Sequence, residues 1–282
     1  EYLHEKEKKN GFKSLVVYRR KENYYHTKGN QETAVNDLPE DVDRYITTED
    51  DNEFSPCFLE YMNQNLEKYK DDDSIIRVCG YLPLNCIFNT EYSQFVSNWH
   101  NAWGIGHWVR KEKDIDLYKK PAGMRTLYNS SKVQKYYEST KFECILVSLV
   151  SMSKKKCGLL GDVIVAAYMV YKDKWCILPT KSMVRNHGWD GSGQHGGYVY
   201  GYKEQEIQLN ANYVMREAPV SFTKNFVEDQ LLLKKNKKRG LANIQNAISW
   251  YMYKYLGIYC EFTTLRKIAK RIKNRIKGTS IN

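Results

Sequence analysis

The chain reads as an α/β protein, a mixed, mostly parallel sheet flanked by helices, with a helical extension at its C-terminal end. Three observations point there. A strand–helix–strand succession runs through "DRYITTEDD", "SPCFLEYMNQNLEKYKDD" and "SIIRVCGY", the order that joins a parallel pair through a crossover helix. The apolar, helix-like "GDVIVAAYMVYKD" leads into the strand-like "WCILPTKSMVRN" and repeats the alternation. From residue 221 onward the pattern turns helical and basic. A domain over 1–220 followed by an extension over 221–282 is the expected organisation, and 282 residues at 42% hydrophobic content suffice for a sizeable core.

Taken in order, "EYLHEKEKKNG" predicts a short helix stopped by Gly11, and "FKSLVVYRR" a strand with a β-branched and aromatic centre. Residues 22 to 40 are polar and turn-rich. In "SPCFLEYMNQNLEKYKDD", Ser55 is the expected N-cap and Pro56 the first helical residue. Phe58, Leu59, Met62, Leu66 and Tyr69 then recur at helical spacing. The stretch 83 to 130 is rich in aromatic and Gly residues, and a helical stretch is expected over about 131 to 156. A glycine-rich loop, "HGWDGSGQHGG", follows "WCILPTKSMVRN", and "YVYGYKEQEIQLNANYVM" alternates weakly, as a hairpin would. Three helices close the chain: "VEDQLLLKKNKK", "ANIQNAISWYMYKYLG" and "TLRKIAKRIKNRIKG".

The net charge is +11, which suits an anionic substrate, an anionic membrane or nucleic acid. No nucleic-acid motif accompanies it, and an acidic triplet argues against a phosphate groove, so nucleic acid is not among the expected partners. The seven cysteines (57, 79, 86, 144, 157, 176 and 260) form no CxxC pair. They read as reduced, mostly buried thiols of a cytoplasmic protein, and a zinc site is not expected. The longest apolar run, "LLGDVIVAAYMVY", is interrupted by Asp162 and falls short of the roughly 18 residues a membrane span needs.

Glu49, Asp50 and Asp51 stand side by side after an apolar run. Like charges about 4 Å apart cost roughly 4 kcal/mol at an effective dielectric near 20, so water or a cation must offset them. In a strand Glu49 and Asp51 would share one face and Asp50 the other. At the C-terminal end of a parallel strand they would lie where α/β folds bind ligands. Two hard oxygen ligands suit Mg²⁺ or Mn²⁺ completed by phosphate and water; an acidic turn capping the next helix is the plainer alternative.

With its neighbours, this segment resembles the metal-binding stretch of GT-A type glycosyltransferases, the nucleotide-sugar-dependent enzymes of the family 2-like group found in bacterial polysaccharide synthesis. "EDDNEFSPCFLEYMN" looks like their Glu-Asp-Asp form of the Asp-x-Asp motif followed by its helix start. "AWGIGHW", residues 102–108, looks like their Trp-Gly-x-x-x-Trp segment, and "GDVIVAAYMVYKDKWCILPTKSMVRNHGWDGSGQH" like their acceptor-side helix, strand and terminal loop. The likeness covers roughly residues 12 to 197. The strand pair with which such enzymes usually open, carrying the Asp that reads base and ribose, is not recognisable here.

The resemblance implies a GT-A fold and transfer of a sugar, probed first as a UDP-sugar, to a saccharide or lipid-linked acceptor in surface polysaccharide synthesis. It implies a cation, Mn²⁺ or Mg²⁺, on Glu49 and Asp51, with His195 reaching the metal or the diphosphate. Asp50 would touch the ribose, and Arg185 with the loop glycines Gly191 and Gly193 would receive the diphosphate. Trp103 and Trp108 would stack on sugar, with Trp99 and His107 nearby, and Asp190 would orient the loop or the acceptor. His187 is the rival of His195. Asp162, a lone acid at the start of an apolar helix, would be the general base, its pKa set between a helix N-terminus and apolar surroundings, and one displacement would invert the anomeric centre. The tail sets Leu265, Ile268, Ala269, Ile272 and Ile276 on one face and Lys and Arg on the other, so 262–277 is expected to touch anionic lipid on the inner membrane face. The rival readings are a non-catalytic module of the same fold and a basic nucleic-acid-binding protein.

Overall fold

The structure, a computed structural model, describes residues 16–17, 33–84, 86, 88–188, 202, 204–221 and 241–259. The chain divides into two compact units, 1–42 and 43–282. In the first, residues 33–36 form a helical turn, and Val16 and Val17, from the predicted strand over 12–20, have no regular structure. The predicted opening helix, "VEDQLLLKKNKK" and the basic helix over 262–277 lie outside the described residues.

The second unit is built on a five-stranded sheet and a two-stranded ribbon. Its strands are β1 (Arg44–Thr47), β2 (Asn52–Phe54), β3 (Ile75–Cys79), β4 (Gln94–Ser97), β5 (Ile105–Trp108), β6 (Trp175–Pro179) and β7 (Val184–Asn186). Its helices are α1 (Phe58–Lys68), α2 (Val109–Tyr118), α3 (Pro121–Asn129), α4 (Ser131–Ser139), α5 (Glu143–Ser153), α6 (Gly161–Lys172) and α7 (Leu241–Leu256). The sheet order is β1-β5-β3-β6-β4, and β2 pairs with β7 in the ribbon. The α/β character is as the sequence predicts, and the sheet is mixed, but parallel pairing is narrower than expected. Among the strands of the described residues only β3–β6 pairs parallel; β1–β5, β3–β5 and β4–β6 are antiparallel. The reason lies in residues 83–130, which carry β4 and β5 and return both strands against the direction of their neighbours.

Strand β3 is buried along its whole length, as a central strand with both faces covered must be. Ile75 and Val78 pack with α1, through Phe58, Tyr61, Met62 and Leu66; Ile76 and Cys79 pack on the opposite side, with Ile115, Leu127, Leu149, Ile164 and Trp250 from the helical layer. A bulge between Ile75 and Arg77 shifts the register against β6. Because side chains alternate with period two, this shift sends Arg77 to the same side as Ile76 and Cys79, toward α2. Burying each large apolar side chain of α1 contributes about 1.5–3 kcal/mol. Packing is tight at β5: a Cβ on Gly106 would come within 3.1 Å of Leu66.

Helix α1 begins two residues later than Ser55 and Pro56 predict, at Phe58, with no side-chain cap. Ser55 donates its backbone N–H to the Met183 carbonyl at 2.9 Å, which ties it to the run into β7. The helical stretch expected over 131–156 is two helices, α4 and α5, separated by a turn in which Lys141 takes a positive φ of 61°. Residues 204–210 have no regular structure, so the expected hairpin is not formed in its described part. Helix α7, expected in a separate extension, packs on α5 and buries Ala247 and Trp250. Among the described residues no helix is long and apolar enough to cross a membrane.

Candidate active site

The three acids do not stand on a strand. β1 ends at Thr47, and a turn closed by the Asn52 N–H on the Glu49 carbonyl (3.3 Å) carries them into β2. The turn still sorts them as alternation would: Glu49 and Asp51 are half-buried and Asp50 is exposed. Asp51 is held from the ribbon. Asn186 Nδ2 donates to its Oδ1 at 2.8 Å, and the His187 N–H to its backbone carbonyl at 2.8 Å. Gly188 leaves room for the carboxylate, since a Cβ there would sit 2.0 Å from Asp51 Oδ2. Burial, then the Asp50 charge, raises the Asp51 pKa.

Glu49 is the most perturbed of the three. Burial first, then the charges of Asp51, Asp162 and Asp50, push its carboxyl up to about 7, against a hydrogen bond from the Trp103 side chain. Glu49 therefore shares one electrostatic neighbourhood with Asp162, which opens α6 in a distant part of the chain. An apolar hollow lined by Ile46, Thr48, Phe54, Pro56, Phe58 and Leu59 abuts the turn but includes neither acid, so it is not the reacting position.

Asp162 stands in the first turn of α6 with 60% of its side-chain surface open to solvent. The protein around it still desolvates it. Its pKa is not intermediate, as the apolar helix led us to expect. Desolvation raises it, but the His100 hydrogen bond and the charges of His100 and Arg77 outweigh that and hold it below the usual carboxylate range. The cations come from a buried network. His100 Nε2 lies 3.1 Å from Asp162 Oδ1 and 3.0 Å from Arg77 Nη1. Arg77 grips Glu112 of α2 in a fork, Nε and Nη2 each 2.7 Å from a carboxylate oxygen. His107 Nδ1 lies 2.9 Å from Glu112 Oε1, and its Nε2 2.8 Å from Thr47 Oγ1 at the end of β1. Burial lowers the His107 pKa, so the ring is neutral, with Nδ1–H donating to Glu112 and Nε2 accepting from Thr47.

The other sequence-predicted residues fall on both sides of the line. Trp103 belongs to the site: it bonds Glu49 and packs edge-on against Tyr81 and Tyr202, with ring centroids 4.5 and 5.4 Å apart. Trp108 does not. It is buried against α1, donates Nε1–H to the Leu66 carbonyl at 2.9 Å and has Lys111 Nζ 3.8 Å from its ring, so no face is left for a sugar. In the same segment Gly104 takes a φ of +65° and Gly106 is packed under Leu66. Arg185 gives its charge to Glu53 (3.2 Å) and its Nε–H to the Gln205 carbonyl (2.6 Å) rather than to the acidic turn. His187, ranked behind His195, bonds Glu53 at 2.7 Å and its charge acts on Asp51. Asp190, Gly191, Gly193 and His195 lie outside the described residues.

Sequence reasoning missed Arg77, His100, Glu112 and Asn186. Arg77 left a signal, a lone charge inside the apolar strand "SIIRVCGY". The other three left none, because their partners are far away in the chain.

As a cation seat, Glu49 and Asp51 offer carboxylate oxygens of the kind that hold Mn²⁺ or Mg²⁺. Burial first, then the charges of Asp51, Asp162 and Asp50, hold Glu49 near 7; a divalent ion would relieve the second of these, and two carboxylates leave the remaining coordination to phosphate and water. Among the described residues, the trio whose ligand-type atoms come within 4.8 Å of one another is a different one: Cys79, His100 and Cys176, all buried. That set is soft and suits Zn²⁺ or Cu⁺ rather than Mn²⁺ or Mg²⁺; it lies in the core, with Cys176 Sγ against Met169 Sδ at 3.7 Å. Compared with known proteins, the chain matches no family model and no curated protein.

Proposed function

We propose that the chain is a metal-dependent glycosyltransferase of the GT-A type. It would move a sugar from a nucleotide sugar, a UDP-sugar in the first instance, to a saccharide or lipid-linked saccharide acceptor. The observation that carries this reading is that the Asp162 charge reaches Glu49 while their pKa values are driven apart, Glu49 up to about 7 and Asp162 downward. Two electrostatically linked carboxyl groups pushed in opposite directions are suited to different tasks. Glu49 and Asp51 hold Mn²⁺ or Mg²⁺, which when bound would neutralise the leaving diphosphate. Asp162 stays ionised at neutral pH and takes the proton of the acceptor hydroxyl. A single displacement assisted by this base inverts the anomeric centre. Trp103 fixes Glu49 and offers an aromatic edge beside it. The basic tail over 262–277 fits an acceptor anchored in an anionic membrane, with the enzyme peripheral on the cytoplasmic face.

A donor-panel assay tests the reading: release of nucleotide from UDP-, GDP- and dTDP-sugars by the full chain, with Mn²⁺ and with EDTA. Metal-dependent release that Asp162→Asn abolishes, with donor binding largely retained, supports it. No release from any donor, together with no thermal shift by UDP and Mn²⁺, would leave a non-catalytic interaction module of this fold.

A further inference from the structure

The glycosyltransferase reading uses Asp162 but not the buried polar chain behind it. That chain runs Thr47–His107–Glu112–Arg77–His100–Asp162, with every link between 2.7 and 3.1 Å. It starts two residues before Glu49 and ends on the base, so it joins the acidic turn after β1 to the start of α6 through the interior. Burying an arginine, a glutamate and two histidines is costly unless each is held, and removing one partner is far worse than never having built the pair. Core packing alone would be served as well by apolar residues.

His100 is the link that reaches the site. Its side chain is fully buried, whereas the Asp162 side chain is 60% exposed. An imidazole nitrogen has one in-plane direction, yet Arg77 Nη1 and Asp162 Oδ1 both approach Nε2, at 3.0 and 3.1 Å. Arg77 is already neutralised by Glu112 through two charge-assisted bonds. Among the described residues no other side chain bonds the Asp162 carboxylate, so a charge-assisted N–H bond favours it. Nδ1 faces the Cys79 sulfur, 3.8 Å away.

We propose that His100 is a positioning residue for Asp162: its Nε2–H fixes the carboxylate, and full burial of the ring, rather than a hydrogen bond from Arg77, holds the imidazole in place. This rests on the glycosyltransferase reading of Asp162. Misplacing a reacting group by about 1 Å can cost about 10²-fold in rate, so His100→Leu should lower kcat for UDP-sugar hydrolysis about 10²-fold with KM changed less than about twofold. His100→Gln, whose amide nitrogen reaches where Nε2 stood, should recover most of that loss.

The experiment pairs two readouts on the full chain. Ring ¹⁵N spectra of histidine-labelled protein, without substrate, should show His100 protonated at Nε2, with that nitrogen shifted in Asp162→Asn. Hydrolysis of UDP-glucose, UDP-galactose and UDP-N-acetylglucosamine with Mn²⁺ should show the kcat loss and the Gln rescue. A ring protonated at Nδ1 alone, with Nε2 unmoved by Asp162→Asn, overturns the proposal, as do Leu and Gln variants equally active or equally impaired. The spectra decide the bond even if a variant folds poorly. If the wild type hydrolyses none of the donors, the glycosyltransferase reading fails and takes the positioning role with it, whatever the spectra show of the bond.

Discussion

Replacing Glu49 by Gln should make the empty protein more stable and the metal-loaded one less so. Folding holds the Glu49 carboxyl at about 7 against an ordinary 4.5. A group whose pKa rises on folding stabilises the fold while protonated and loses that contribution as pH climbs through the folded value. For Glu49 the loss falls between about 4.5 and 7, so at pH 8 the wild type bears it in full. At 1.36 kcal/mol per decade the difference is about 3 kcal/mol, and partial access to water reduces it to about 2. Gln keeps an oxygen for the Trp103 hydrogen bond and discards the charge. At about 2–4 °C per kcal/mol for a unit of this size, Glu49→Gln should melt about 4–8 °C above the wild type at pH 8 in EDTA, and level with it near pH 4.5. Saturating Mn²⁺ should reverse the order, raising the wild type and leaving the variant where it was. Differential scanning calorimetry at the two pH values, with EDTA and with Mn²⁺, reads all of this. A variant less stable than the wild type at pH 8 in EDTA, or one that gains as much from Mn²⁺, refutes the reasoning.

Further outcomes follow from the same geometry. Gly188→Ala should push the Asp51 carboxylate aside and weaken Mn²⁺ binding by about tenfold or more, read by isothermal titration, with the circular dichroism spectrum unchanged. Trp103→Phe removes a hydrogen bond that lowers the Glu49 pKa, so Mn²⁺ titrations at pH 6, 7 and 8 should need a higher pH to reach wild-type affinity. Trp108→Phe should leave sugar kinetics unaltered and cost about 1–3 kcal/mol of stability, because the Leu66 carbonyl loses its donor. Glu112→Gln leaves Arg77 buried and uncompensated, at a cost of about 3–5 kcal/mol. Arg77 and His107 hold Glu112 well below its ordinary 4.5, so the contribution is present above about 4.5 and fades as pH falls through the lower folded value. The gap in denaturation midpoint between Glu112→Gln and wild type should therefore close in acid.

What the sequence discloses is what local chemistry decides. The apolar period of "GDVIVAAYMVYK" became α6, "SIIRVCGY" became β3, and the placing of Asp162 at a helix start held. The acidic triplet drew notice because adjacent carboxylates need a reason, and burial sorted Glu49 and Asp51 from Asp50 as expected, although on a turn instead of a strand. What stayed hidden depends on tertiary partners. Trp103 and Trp108 sit five residues apart in one motif, yet one faces Glu49 and the other α1; only the tight packing of β5 against Leu66 separates them. Helices α2 and α3 escaped notice because α2 is mostly charged and α3 is a nine-residue helix interrupted by Gly123. The low pKa of Asp162 was beyond reach, since it depends first on His100 and then on Arg77, which a single bulge turns toward α2.

The ribbon of β2 and β7 has a consequence for change over evolutionary time. It fastens Asn52 to Asn186 and Asp51 to His187, so the position of the acidic turn depends on two segments more than 130 residues apart in the chain. Substitutions in either strand of the ribbon would then be coupled, because a change that shifts one strand must be answered in the other for Asp51 to keep its place.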